Sequence, residues 1–281
     1  LRRASPISHY AVSAALEALG TDAAAVAEGK IRLGVVLCVM SGCVNYSRRF
    51  YDEALRDPST ASPLVFPETV FNAPASHLAA LLGTPALNYT LVGDPGTFLQ
   101  GMALAADWLG AGYVDGCLVV GAEESDWMTS NGFHLFSRRI VISEGAGAIY
   151  LKPEGQAGAL GELDCVTDSH SYGREQNRSL AARKISEELP AFSPGQVLID
   201  GLQDAARLDA AETAAWSRWD GPRFSPKLVL GDGMMAGVAW QCALAVDAVA
   251  GNAYRGATVS VVGCNQQAIG AHFVGVNGGN G

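Results

Sequence analysis

Short apolar runs alternate along this chain with longer Ala-rich stretches of helical period. Residues 32–40 (Arg-Leu-Gly-Val-Val-Leu-Cys-Val-Met) are almost continuously apolar, which predicts a strand buried on both faces. Similar runs predict strands at 86–92, 116–121, 147–151, 161–169, 196–200, 227–230 and 257–263. Helical patterns occupy 8–19, 72–82, 96–109, 209–219 and 234–249. Strands alternating with helices imply an α/β layered fold. Residues 173–194 are charged and irregular, and are expected to form an exposed connector between stretches 1–172 and 195–281.

A repeat underlies this pattern. The first copy runs Leu91-Val-Gly-Asp94, then Ala103-Leu-Ala-Ala-Asp107, Tyr113 and Val119-Val-Gly121. The second runs Val229-Leu-Gly-Asp232, then Ala243-Leu-Ala-Val-Asp247, Tyr254 and Val261-Val-Gly263. Each reads as strand, Gly-Asp turn, Ala-rich helix, turn, strand. The step between the two aspartates is 13 in one copy and 15 in the other. Coincidence in an Ala- and Gly-rich chain is one reading. The other is a duplicated α/β half, packed about a pseudo-twofold with both Gly-Asp turns near one cleft.

Composition narrows the class. With 281 residues, 49% hydrophobic and 17% charged, the chain can bury a large core and is not a disordered polymer. A balance of 19 basic against 28 acidic residues, net −9, argues against nucleic-acid binding. No apolar run approaches the ~18 residues of a membrane span. The six cysteines form no CxxC pair and sit mostly in apolar runs, which predicts reduced, buried thiols and a cytoplasmic protein. No close Cys/His spacing suggests a zinc site. The chain opens on Leu1, so a segment removed before it is an open expectation.

Five stretches resemble the β-ketoacyl synthase family of the thiolase fold. Asn72-Ala-Pro-Ala-Ser76 is similar to that family's Pro-Asn-x-x-Ala-Ser helix start. Leu87-Asn-Tyr-Thr-Leu-Val-Gly-Asp-Pro-Gly96 stands in the place of its nucleophile elbow. Gly112-Tyr-Val-Asp115 through Gly121-Ala-Glu123 resembles its Gly-x-x-Asp-x-x-x-x-Gly-Gly-x-Glu run. Glu144-Gly-Ala-Gly147 matches its EGAG motif, and Asp209-Ala-Ala-Glu212 its Asp-Ala-x-Glu helix. The resemblance implies two pseudo-twofold-related α/β halves in an α-β-α-β-α stack, beginning after the family's first strand and shorter than a full synthase.

The family condenses acyl units with a Cys-His-His set. Its cysteine sits at a helix N-terminus, where dipole and amides favour a thiolate that carries the acyl chain. Here Asp94 falls on the cysteine position, or Pro95 if one gap moves. Asp200-Gly-Leu-Gln-Asp204 replaces the His-Gly-Thr-Gly-Thr motif. Asp232-Gly-Met-Met-Ala-Gly237 lies over Lys-Gly-x-x-Gly-His, which puts Asp232 on the lysine and Gly237 on the second histidine. Gly263-Cys-Asn-Gln-Gln267 replaces the Gly-Phe-Gly-Gly loop. None of His9, His77, His134, His170 and His272 falls on a catalytic position. The resemblance places Asp94, Pro95, Asp232, Cys264 and Gln266 around the substrate pocket, and implies neither metal nor cofactor.

Several readings stand side by side. Asp-Pro-Gly-Thr starts a helix well, so Asp94 is expected either to cap the following helix or to act as a general base. Asp200 and Asp232 read as turn residues, or as partners of Asp94 in a cleft where three carboxylates raise a pKa or hold a cation. Glu123-Glu124 is expected in a surface loop, and Glu144 as a buttress of the elbow. Cys264 is the thiol expected to face the cleft. The resemblance implies a non-catalytic, chain-length-factor-like homologue paired with an active ketosynthase in type II fatty acid, polyketide or aryl-polyene synthesis. The alternatives are an acyl-thioester hydrolase or decarboxylase using Asp94, Asp200 or Asp232, and an acyl- or carrier-binding module. Expected partners are the active ketosynthase or a second copy. Carrier docking requires Arg48, Arg49, Arg138 and Arg139 to gather. The dimer surface is expected on the apolar strand after the elbow.

Overall fold

A computed structural model describes residues 3–156, 158–173, 177–264 and 266–276. The helices are α1 (Pro6–Leu19), α2 (Asp22–Ala27), α3 (Val44–Arg56), α4 (Ala73–Leu82), α5 (Thr97–Gly110), α6 (Trp127–His134), α7 (Arg178–Glu188), α8 (Ala206–Ala215), α9 (Lys227–Leu230) and α10 (Met234–Ala250). The strands are β1 (Leu33–Val39), β2 (Leu87–Val92), β3 (Gly116–Glu123), β4 (Gly145–Leu151), β5 (Glu162–Val166), β6 (His170–Ser171), β7 (Gln196–Ile199), β8 (Arg223–Phe224), β9 (Gly256–Val262) and β10 (Gln267–Val274).

The strands form two sheets that repeat one plan. The first has the order β2-β1-β3-β4, with β1 parallel to β2 and β3, and β4 antiparallel to β3. The second has the order β5-β10-β9-β7-β8, with β7 parallel to β8 and β9, and β10 antiparallel to β9. Thus β7, β8, β9 and β10 take the places of β1, β2, β3 and β4. The inner helices α5 and α10 follow β2 and β8, α10 only after the turn α9, which stands where the repeat predicts a strand.

Alternation along β1 shows how the layers form. Val36 and Cys38 face the central core with Phe98 and Met102 of α5, and Val238 and Cys242 of α10. Val35, Leu37 and Val39 face the outer core with Ile7 and Val12 of α1 and Leu78 of α4. A strand covered on both faces must be apolar at every position, and β1 is buried throughout. Helices α7 and α8 cover the second sheet through Ala182, Ile185 and Ala211 against Val262 and Ala268. The result is an α-β-α-β-α stack.

The structure corrects several expectations. Half of the stretch 173–194 is helix α7, whose Ala181, Ala182 and Ile185 are buried beneath a charged exterior; residues 174–176 lie outside the described residues. Residues 227–230 form the single turn α9 rather than a strand, and β8 supplies the pairing. Strands β5 and β6 lie within 1–172 yet pair with β10 in the second sheet. The strand after the elbow, β3, is interior between β1 and β4 and buried at every position. The open edge of the first sheet at this end is β2, before the elbow, where Leu87, Tyr89 and Val92 are exposed.

Candidate functional site

Asp94 lies between β2 and α5, and its side chain is buried. It does not cap α5. Helix α5 starts at Thr97 without a side-chain cap, and only the Asp94 main-chain oxygen accepts the Thr97 amide, at 2.8 Å. The carboxylate turns instead to the β9–β10 connection. Its Oδ1 accepts the Cys264 amide at 3.0 Å and its Oδ2 the Gln267 amide at 3.4 Å. Gly263 makes this approach possible: a Cβ there would stand 1.6 Å from Asp94 Oδ2. Pro95 is buried beside it.

Asp232 is also buried and fully used. Its Oδ2 pairs with Lys227 Nζ at 2.9 Å, and its Oδ1 accepts the Met234 amide at 2.9 Å. That second bond holds Met234 in the left-handed region, at φ 51°, where a non-glycine residue needs local support. Burial pulls the Lys227 pKa down, but the Asp232 carboxylate bonded to it outweighs this, so the lysine stays charged. The ion pair, with Phe133, Phe136, Gln203 and Cys264, lines a cavity of ≈ 20 Å³, about the space of one water.

Cys264 also lines that cavity. Burial pushes its thiol pKa up, and the carboxylates of Asp232 and Asp94 push it further. The thiol therefore stays protonated and is no nucleophile. Gln266 is exposed and lines a separate outer cleft of ≈ 500 Å³ between β2 and α5, with Leu91, Val92, Gln100 and Leu104. Gly237 is buried in the first turn of α10 and brings no side chain.

Asp200 ends β7. Its Oδ1 accepts from Ser225 Oγ and, at 3.3 Å, from the Leu202 amide. Among the described residues its Oδ2 has no hydrogen-bond partner. Burial raises the Asp200 pKa. Glu212 of α8 accepts from Ser260 Oγ and the Gly201 amide. Burial, then the Asp200 charge, pushes its pKa up to about 7. Asp94 and Asp200 do not line the inner cavity with Asp232. Among the described residues no three Cys, His, Asp or Glu side chains gather as a metal site, so the three carboxylates do not assemble the cation site weighed above.

Glu123 and Glu124 are not surface residues; both are fully buried. Glu123 accepts the amides of Met40, Ser41, Gly42 and Met235, yet burial dominates and pushes its pKa up to about 8. Glu124 accepts the Ile7 and Asn45 amides at 3.0 and 2.8 Å. Glu144 accepts from Tyr10 Oη and the Ser125 amide, and so ties α1 to the end of β3 rather than supporting the elbow.

No family model matches the sequence, and no curated protein is significantly similar to it. Solved structures are similar to it over nearly its full length. A β-ketoacyl synthase from Burkholderia phymatum STM815 superposes with a TM-score of 0.82 at 17% identity, over 98% of this chain and 84% of that one. The fold is that of the ketosynthases. A type II PKS ketosynthase bound to the hexaketide, in complex with its acyl-carrier protein, gives a TM-score of 0.77 at 16% identity, covering 98% of this chain and 85% of that one. The ishigamide ketosynthase/chain length factor gives 0.75 at 19% identity, covering 88% and 74%.

Within this ketosynthase fold, sequence reasoning missed Lys227. A signal was present: Lys227 precedes Gly231 and Asp232 by four and five residues. The strand assigned to 227–230 hid the lysine on the outside of a sheet. The single turn α9 folds it back onto Asp232.

Proposed function

We propose that this chain is a non-condensing member of the ketosynthase fold that pairs with a condensing ketosynthase, in the manner of a chain-length factor, in polyketide or related acyl-chain synthesis. One observation carries the reading. The elbow position holds Asp94, a buried carboxylate bound to two main-chain amides of the opposite half. Such a group cannot carry an acyl chain as a thioester, and the nearby thiol of Cys264 is held neutral.

The register of the second motif fits the same reading. Lys227-Leu-Val-Leu-Gly231-Asp232 keeps the lysine, the glycine and the five-residue step of Lys-Gly-x-x-Gly-His, with Asp232 in place of the histidine. In this register Lys227, not Asp232, stands for the family's lysine, and Gly237 has no role. An ion pair replaces a neutral imidazole, and a charged carboxylate cannot donate to a developing enolate oxygen.

The open edge of β2, with exposed Leu87, Tyr89 and Val92, is the surface for the partner, since a bare apolar edge strand invites strand pairing. Carrier docking belongs to the partner. Arg48, Arg49 and Arg139 already pair with Asp126, Glu53 and Asp204. One observation favours a second reading, a hydrolase or decarboxylase of acyl thioesters: among the described residues, one buried oxygen of Asp200 has no hydrogen-bond partner.

Co-expression with a Cys-His-His ketosynthase tests the proposal. A stable heterodimer whose condensing activity depends on this chain supports it. A homodimer that hydrolyses malonyl or acyl thioesters by itself, and loses that activity in Asp200→Asn, overturns it.

A further inference from the structure

We propose that the main-chain amides of Cys264 and Gln267 form a carboxylate cradle and that Asp94 is its built-in occupant, an internal ligand that keeps the elbow closed. The inference rests on the non-condensing reading for its functional meaning, but its geometry stands alone. The amides of Cys264 and Gln267, 170 and 173 residues away in sequence, converge on the two oxygens of one buried carboxylate. Amides aimed at one carboxylate are a general anion-binding arrangement. Gly263 leaves the space that the carboxylate fills.

The cradle also divides the site. Gly263 and Cys264 line the inner cavity with Lys227 and Asp232, whereas Gln266 and Gln267 line the outer cleft. Asp94 therefore fastens the partition between them at both ends. The side chain of Gln267 tightens the outer face, donating to Thr97 Oγ1 at 3.1 Å on α5. An acyl oxygen brought to the elbow would meet amides already holding an anion. Closure by Asp94 replaces the chemistry that the elbow otherwise performs, and it joins the two pseudo-symmetric halves across the central layer.

Chemical rescue of full-length variants tests this. In Asp94→Ala, exchange of the Cys264 and Gln267 amides should quicken about tenfold or more, the loss expected for charge-assisted bonds, while the first turn of α5 keeps its wild-type protection. Sodium formate should slow that exchange again and raise the variant's melting temperature saturably, with no such response in the wild type. Sodium chloride at equal ionic strength should do neither. Asp94→Asn, which preserves shape, should lie between the two and ignore formate; it serves if the alanine variant does not fold. Gly263→Ala should destabilise the wild type markedly more than it does the Asp94→Ala variant, because without the carboxylate the atom closest to its Cβ is the Gln267 main-chain oxygen, at 3.0 Å. Faster exchange confined to α5, formate without effect on Asp94→Ala, or equal penalties for Gly263→Ala in both backgrounds would each overturn the cradle. Failure to form a heterodimer with a ketosynthase would remove the functional reading and leave the cradle standing.

Discussion

Lys227 Nζ and Asp232 Oδ2 lie 2.9 Å apart, with side chains only 10% and 2% exposed. Breaking such a pair leaves one charge buried alone, which costs about 3–5 kcal/mol. Asp232→Ala should therefore lower the unfolding free energy by about that much, with the added loss of the Met234 amide partner. The double variant Lys227→Met/Asp232→Asn should recover part of it. Urea unfolding of the three proteins checks this, and a double variant worse than both singles would contradict it.

The pH dependence of stability should run opposite to that of an ordinary carboxylate-paired protein. Glu123 and Glu212 hold their protons in the fold up to about 8 and about 7, whereas an unfolded glutamate loses its proton near 4.5. Between those values the folded state binds more protons than the unfolded one, so stability falls as pH rises. At the acid end Asp115, held down to about 2 by its bonds to Arg32, loses its contribution as pH falls below 3.8. Maximum stability should thus lie at mildly acidic pH. Glu123→Gln should flatten the decline above pH 5 in thermal melts taken across pH 4–9.

Gly121 marks the closest approach of β3 to α10. A Cβ there would stand 2.5 Å from the Met235 main-chain oxygen. Backbone cannot yield as a side-chain tip can, so Gly121→Ala should cost about 1–3 kcal/mol by overpacking the central layer. By contrast Gly110→Ala, at the end of α5 with nothing within 4 Å, should be neutral or stabilising. Paired chemical denaturation curves distinguish the two.

The β2 edge should govern association and not folding. Tyr89 and Val92 are 54% and 52% exposed. Tyr89→Lys and Val92→Lys should weaken partner binding or self-association; Val92→Lys should shift the monomer's melting temperature little, and Tyr89→Lys somewhat more, through its lost edge contact with Trp108. Analytical ultracentrifugation and co-purification read the first effect, calorimetry the second. Unchanged association in the Tyr89→Lys/Val92→Lys pair would move the interface elsewhere.

Much of the layered fold was legible in the chain. Continuous apolar runs such as β1 and β3 announce strands covered on both faces, and the Gly-Asp repeat announces two equivalent halves. Helix α3 escaped because it is strongly charged and buries no residue, and helix α6 because mixed polarity blurs its period. Strand β10 escaped because its small and polar residues, Gln267, Gly270 and His272, look unlike a core strand until β9 and β5 cover them.

The sequence by itself placed aspartates where the resemblance expects a cysteine and a histidine. Only the tertiary structure decided what those aspartates do. Local propensity made Asp94 a helix cap, because Asp-Pro-Gly-Thr is a good helix start. The fold overruled it, since the amides of Cys264 and Gln267 arrive from a strand connection 170 residues away. Likewise only the turn of α9 brings Lys227 onto Asp232. Local pattern fixes elements, but the partner of a buried charge is set by which elements the packing brings together, and burial makes that partner obligatory.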